Sequence, residues 1–168
     1  MILKAYHISI FSTCLFLFTP VLWAQEIKGK TSYISDGDTF RFVSEEGLKL
    51  KVRVADIDCP EKLQPFGLEA KEFVINQILN KDITLQVIAT DRYGRKVARV
   101  FYDCKDLSEE LLKNGFAWHF IKYSKDPTLS AFEQWAREKK LGLWSVANPE
   151  APWVFRKKRK KFFLLNKF

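Results

Sequence analysis

The sequence predicts an α+β fold, predominantly β: a small five-stranded barrel flanked by three helices. Three observations lead there. Short runs of alternating apolar and polar residues crowd the first part of the chain. Gly-containing turns of hairpin type separate them. Stretches with apolar residues at helical spacing lie between and after the strands.

Element by element, Asp36-Gly37 suits a turn between a first strand and Thr39-Phe-Arg-Phe-Val43, where Phe40 and Phe42 share a face. Glu45-Glu-Gly47 makes the next turn. Lys49-Leu-Lys-Val-Arg-Val54 then alternates strictly, with Leu50, Val52 and Val54 opposite Lys49, Lys51 and Arg53. After Pro65, the spacing of Phe66, Ala70, Phe73, Val74, Gln77 and Ile78 predicts a helix, with Glu69, Lys71 and Glu72 facing water. Strands follow over Ile83–Ala89 and Lys96–Tyr102, joined at Tyr93-Gly94. Asp106 opens a second helix, with Glu109 three residues on as in a capping box and Gly115 at its end. Asp126-Pro127 opens the last, which runs to about Leu141. Among the aromatics, Trp118, Phe120, Phe132 and Trp135 are expected to fill the core, and His119 to be packed or surface-lying, not catalytic.

The 168 residues support one domain with extras at both ends. Lys4 precedes a charge-free apolar run from Ile8 to Trp23 that gives way to Gln25-Glu26. This is the layout of a signal peptide over residues 1–24, cleaved after Ala24, and it implies export to the periplasm or medium. Leu22 stands where a small residue is usual, which leaves an uncleaved anchor as the second outcome, although a span usually needs ~20 apolar residues. Cys14 would leave with the signal. Cys59 and Cys104 remain, an even pair in an oxidising compartment, so a disulfide stays open and a zinc site is disfavoured.

The formal net charge of +8 is misleading about the body. Of the 28 Lys+Arg, Lys4 precedes Gln25, while Arg156, Lys157, Lys158, Arg159, Lys160, Lys161 and Lys167 follow Phe155. The stretch between carries 20 basic and 20 acidic residues. Bulk charge therefore gives the domain at 25–149 no affinity for nucleic acid; the basic pI belongs to the tail at 150–168.

Placed charges are another matter. Arg53-Val-Ala-Asp-Ile-Asp-Cys-Pro-Glu61 sets one guanidinium and three carboxylates where a strand ends against a proline. Upstream lies Asp36-Gly-Asp-Thr39, downstream Asp91-Arg-Tyr-Gly-Arg95. Singly, each Asp is an ordinary turn residue. Together, Asp38 and Asp58 at strand boundaries offer oxygen ligands to a hard cation, and Arg53 and Arg95 offer planar forks of donors to a phosphate. Glu61, in the loop after Pro60, could position or deprotonate water. Asp56 has no assigned role and reads as structural.

These three motifs, in this order and spacing, resemble those of the staphylococcal nuclease (thermonuclease-like) family. The likeness runs from about Ile27 to Ser145 and includes Glu110-Leu-Leu-Lys-Asn-Gly-Phe-Ala117 and Lys140-Leu-Gly-Leu-Trp144. It implies an OB-fold barrel and Ca²⁺-dependent hydrolysis of DNA and RNA to 3′-phosphates with little sequence preference. Carried over residue by residue, it implies calcium held by Asp38, Asp58 and the backbone carbonyl of Cys59. Arg53, Glu61 and Arg95 would be catalytic, and Tyr93 and Tyr123 would contact substrate. The chain departs from the family's type member in having Cys59 for a threonine and a shorter loop over 62–67.

Two rival readings stand beside the enzyme. One is a non-catalytic barrel of the same fold that binds nucleic acid or a protein. The other is a membrane-surface factor resting on the termini. The tail, six consecutive basic residues and then Phe162-Phe-Leu-Leu165, could grip phosphates, attach to anionic lipid, or be a solvated end. No obligate protein partner is implied, and a monomer is expected.

Overall fold

The computed structural model describes residues 25–165; the signal segment read over 1–24 and Lys167 lie outside the described residues. Five strands close into a ring. β1 (Gln25–Asp36) is long enough to pair along its first half with β5 (Asp82–Thr90) and along its second with β2 (Thr39–Ser44). Register shifts between Thr31 and Tyr33 and between Ile34 and Asp36 accompany this change of partner, as bulges do where a strand bends. β2 pairs with β3 (Lys49–Val54), and β5 with β6 (Lys96–Tyr102), all antiparallel. Parallel pairing of β3 with β6, Arg53 opposite Val97 and Val54 opposite Ala98, completes the barrel.

The alternation read in the sequence is the barrel's inside and outside. Phe40, Phe42, Val52, Val54, Leu85 and Val100 are fully or almost fully buried. They share one cluster with Val74 and Ile78 of α1 (Gly67–Ile78) and with Leu107, Leu111 and Leu112 of α2 (Leu107–Lys113). Each such side chain contributes roughly 1.5–3 kcal/mol by leaving water. Asp106 caps α2, accepting from the Ser108 N–H at 2.7 Å, but only half of the expected capping box forms. Glu109 turns instead to Lys113, 2.9 Å away.

Short strands β4 (Ile57–Asp58) and β8 (Trp118–His119) pair beside the barrel, with the two-residue β7 (Lys105–Asp106) at the far edge of the main sheet. α3 (Pro127–Glu138), capped by Asp126, leads to a 3-10 turn over Gly142–Ser145. It buries Leu129 and Ala136, which leaves Trp135 on the outer face, 47% exposed and outside the core expected for it. Trp118, Phe120 and Phe132 are only partly buried, whereas His119 is packed, with Nδ1 2.9 Å from Ser130 Oγ.

The helix count is corrected, and the question left open about the two cysteines is answered. The helices number four among the described residues, because 152–165 form α4 (Pro152–Leu165), a helix whose residues after Arg156 are exposed wherever described. Cys59 and Cys104 are both free thiols. Cys59 is buried behind the β1–β2 turn, and burial pushes its thiol well above the ordinary range; Cys104 is exposed on the β6–β7 turn. Among the described residues, no helix is long and apolar enough to cross a membrane.

Candidate active site

One end of the barrel gathers the charged motifs. Asp38 lies in the β1–β2 turn, where its N–H donates to Asp36 Oδ1 at 3.2 Å, an Asx-type turn. Its carboxylate accepts from the Cys59 N–H (2.9 Å) and from Thr39 Oγ1 (3.0 Å), so the first and second motifs are bonded directly. Gly37 makes that approach feasible. A Cβ there would stand 2.9 Å from Cys59 Cβ and 3.0 Å from Ala70 Cβ of α1.

Arg53 sits opposite Thr39 in the β2–β3 register. Just beyond β3, Asp56 adopts φ 65° and its carbonyl accepts from Phe120 N–H at 2.8 Å, which turns the chain into β4. The reversal brings Ile57 and Asp58 back to Arg53. Arg53 Nη2 donates to the Ile57 carbonyl (3.2 Å) and Asp58 Oδ1 (2.7 Å), while Nη1 pairs with Asp38 Oδ2. The Asp58 side chain is fully buried and that of Asp38 nearly so, so this guanidinium offsets two carboxylates that have lost their water. Asp56 has another role. Burial raises its pKa, and its strongest opposing neighbour is Arg99, with Asp106, His119 and Asp126 also acting on it. It serves the bend. Asp36 belongs with the site although no role was read for it: burial raises its carboxyl against the pull of Arg53, Thr39 and Arg95.

Arg95 arrives from the β5–β6 turn, brought beside Arg53 by the parallel closure of the barrel. Asp91 fixes it. One carboxylate oxygen accepts from the backbone N–H groups of Tyr93 and Arg95, each at 2.9 Å, and the other from Arg95 Nε at 2.7 Å. The slight burial of Asp91 would raise its pKa, but these hydrogen bonds outweigh it and hold the carboxyl below the usual range. With Nε spent on Asp91, Nη1 reaches Thr39 Oγ1 at 3.3 Å. Thr39, given no role by sequence reasoning, therefore links Arg95 to Asp38. Tyr93 stands at the rim, 68% exposed, its ring 5.6 Å from the Arg95 guanidinium. Tyr123 packs against Phe120 and Lys122, and Phe120 in turn stacks on Trp153.

Glu61 is held in a tight loop. Its N–H donates to Gln64 Oε1 (2.9 Å) and its carbonyl accepts from the Gln64 N–H (2.8 Å). Gly67, at the start of α1, lies so close that a Cβ would come within 2.1 Å of the Glu61 carbonyl. Gln64, itself buried, donates onward to the Glu150 carbonyl at 3.0 Å, tying this loop to the entry of α4.

That tie delivers a residue the sequence reading assigned to the tail. Arg156 of α4 donates Nη1 to Glu61 Oε1 (2.8 Å) and Asp58 Oδ1 (3.1 Å), and Nη2 to Asp58 Oδ2 (2.7 Å). Burial would lower its pKa, but the bonds to Asp58 and Glu61 outweigh this and raise it. A signal was present. Pro152 suits a first helical position, and Trp153 and Arg156 are three apart, on one helix face. Trp153 stacks on Phe120 (5.4 Å, 7° between planes) and meets Trp118 edge-on at 5.6 Å.

The donor chemistry of Asp38 and Asp58 fits a hard cation, which takes oxygen ligands and keeps several waters. Among the described residues, no three Asp, Glu, His or Cys side chains converge as a metal-holding group, so these two carboxylates would supply the side-chain ligands. Carboxylates, a loop glutamate and planar guanidinium groups at one barrel mouth form a constellation suited to phosphoryl chemistry.

The family described as staphylococcal nuclease homologue matches residues 51–146. This chain belongs to that family. The matched residues run from Lys51 in β3 to Val146 and include Arg53, Asp58, Glu61 and Arg95. Family relatives include an uncharacterized endonuclease of Escherichia coli, 34% identical over 147 residues, which cover 86% of this chain and 95% of that protein. An uncharacterized endonuclease of Haemophilus influenzae is 37% identical over 127 residues, 76% and 71% of the two chains. The staphylococcal-like nuclease CAN1 of Arabidopsis thaliana is 38% identical over 133 residues. Those cover 78% of this chain but 41% of the plant protein, so the chain spans less than half the length of that relative.

Proposed function

We propose that this protein is an exported, calcium-dependent nuclease that hydrolyses phosphodiester bonds of DNA and RNA with little sequence preference. The observation that carries the reading is the convergence of Asp38, Arg53, Asp58, Glu61 and Arg95 from three separate segments onto one barrel mouth. The names of the bacterial and plant relatives, endonuclease and nuclease, support the nuclease part of it. A purely binding barrel, the rival reading, has no need of two buried carboxylates beside a loop glutamate. The apolar run before Gln25 supports export.

Asp38, Asp58 and the Cys59 carbonyl would hold calcium, which when bound supplies charge and Lewis-acid polarisation to a phosphoryl oxygen. Arg95, aimed by Asp91 and Thr39, donates its fork to the phosphate as negative charge builds. Arg53, beside Arg95 across the β3–β6 closure, does the same while holding the carboxylate pair. Glu61 accepts the proton of a water whose oxygen bonds to phosphorus. The bond from phosphorus to the 5′ oxygen breaks, and that oxygen leaves with the bonding electrons and takes a proton from solvent. Tyr93 contacts the neighbouring phosphate from the rim. The exposed lysines 157, 160 and 161 of α4 suit the polymer's phosphates beyond it.

This direction of cleavage fixes the product ends. DNA fragments should carry 5′-hydroxyls, accepting a kinase label with no prior phosphatase treatment, and 3′-phosphates that block polymerase extension. Fragments with 5′-phosphates would overturn the assignment of the leaving group.

A further inference from the structure

Both oxygens of Asp58 are occupied by guanidinium donors. Arg53 and Arg156 share Oδ1, and Arg156 alone takes Oδ2 and also an oxygen of Glu61. Arg156 does not arrive on a loose tail. Ala151 and Pro152 are buried, Trp153 is stacked on Phe120, and Gln64 holds the Glu150 carbonyl. Its backbone is thereby fixed beside the site, while its own side chain is 43% exposed.

We propose that Arg156 is a positioning residue that competes with the divalent cation for Asp58 and shields Glu61. On substrate binding, the phosphate draws its guanidinium away, so that cation loading becomes coupled to substrate. The physical reason is exclusion of like charges. A guanidinium with two donors on one carboxylate opposes a second cation on the same oxygens. A phosphodiester offers the fork an equally suitable acceptor, because guanidinium binds carboxylate and phosphate with the same planar geometry. The neighbouring basic residues of α4 bring polyanion to the same place. Coupling of this kind is reciprocal: what loosens Arg156 strengthens the cation, and the cation strengthens phosphate binding.

The inference rests on the calcium reading above, and its test separates the two. Calcium affinity of the full chain is measured calorimetrically without nucleic acid, for wild type, Arg156→Gln and Arg156→Lys. Removing the charge should tighten calcium by at least about tenfold, with lysine between glutamine and wild type because it keeps the charge but not the fork. A phosphorothioate oligonucleotide, chosen to resist cutting, should tighten calcium for wild type and do so much less for Arg156→Gln. Equal or weaker calcium binding by Arg156→Gln would overturn the competition and leave the nuclease reading intact. Absence of calcium binding by all three proteins would overturn the calcium reading and the competition with it.

Discussion

Arg95→Ala is expected to cut phosphodiesters at least about 10²–10³-fold more slowly than wild type, the usual loss when one oriented donor to a developing charge is removed. Few side chains here are so plainly aimed. Asp91 takes Nε and the backbone N–H groups of the turn, and Thr39 accepts from Nη1. None of these bonds supports the core, which lies on the inner barrel face among Phe40, Val52 and Leu85. Loss of the near-surface Arg95–Asp91 pair should therefore cost only about 0–1 kcal/mol of stability. Arg95→Lys should recover little rate, because an ammonium cannot reproduce the two-pronged contact. Single-turnover rates beside thermal melts check both halves of the claim. Near-normal turnover by Arg95→Ala would remove it from the chemistry.

Glu61→Ala is expected to lose about 10²–10⁴-fold in rate, the range for deleting a general base. The loop should survive the change. Its two bonds to Gln64 come from the Glu61 backbone N–H and carbonyl, and the packing against Gly67 is also backbone contact. A fall in rate without a fall in melting temperature thus reports on the carboxylate. Because Glu61 also holds Arg156, Glu61→Gln is the companion variant: it keeps an oxygen for Arg156 and removes the base. Both variants should be slow. An active Glu61→Gln would mean that the side chain only anchors Arg156.

How much of this was legible in the sequence depends on range. Alternation in Lys49–Val54 and Thr39–Val43 locates the strands and their buried faces, since the pleat enforces period two whatever the partner. The N-caps Asp106 and Asp126 were equally local and stand as read. That Asp38, Arg53, Asp58, Glu61 and Arg95 come together was legible because they lie in short motifs at strand ends. The way they bond was not. That Asp38 accepts from Cys59, and that Arg53 lies between two carboxylates, follows from the left-handed turn at Asp56 and the parallel β3–β6 closure. Neither leaves a periodic trace.

Arg156 was missed for a related reason. A run of six basic residues reads as solvated when judged by composition, and its helix has no broad apolar face to announce burial. What holds it is long-range: the contacts of Trp153 with Phe120 and Trp118, the hydrogen bond between Gln64 and Glu150, 86 residues apart, and Arg156's own bonds to Asp58 and Glu61. Trp135 erred the other way. Large and apolar, it was expected inside, but α3 packs through Leu129 and Ala136 instead.

The central claim is that the barrel mouth formed by Asp38, Arg53, Asp58, Glu61 and Arg95 cuts nucleic acid with calcium held by Asp38 and Asp58. The most direct measurement incubates the full chain with single-stranded DNA, double-stranded DNA and RNA, in calcium and in a chelator, with Asp58→Asn alongside. The account predicts cutting by wild type in calcium, none in chelator, and little by Asp58→Asn at the same calcium concentration. Intact nucleic acid in calcium, or equal cutting with and without chelator, would contradict it.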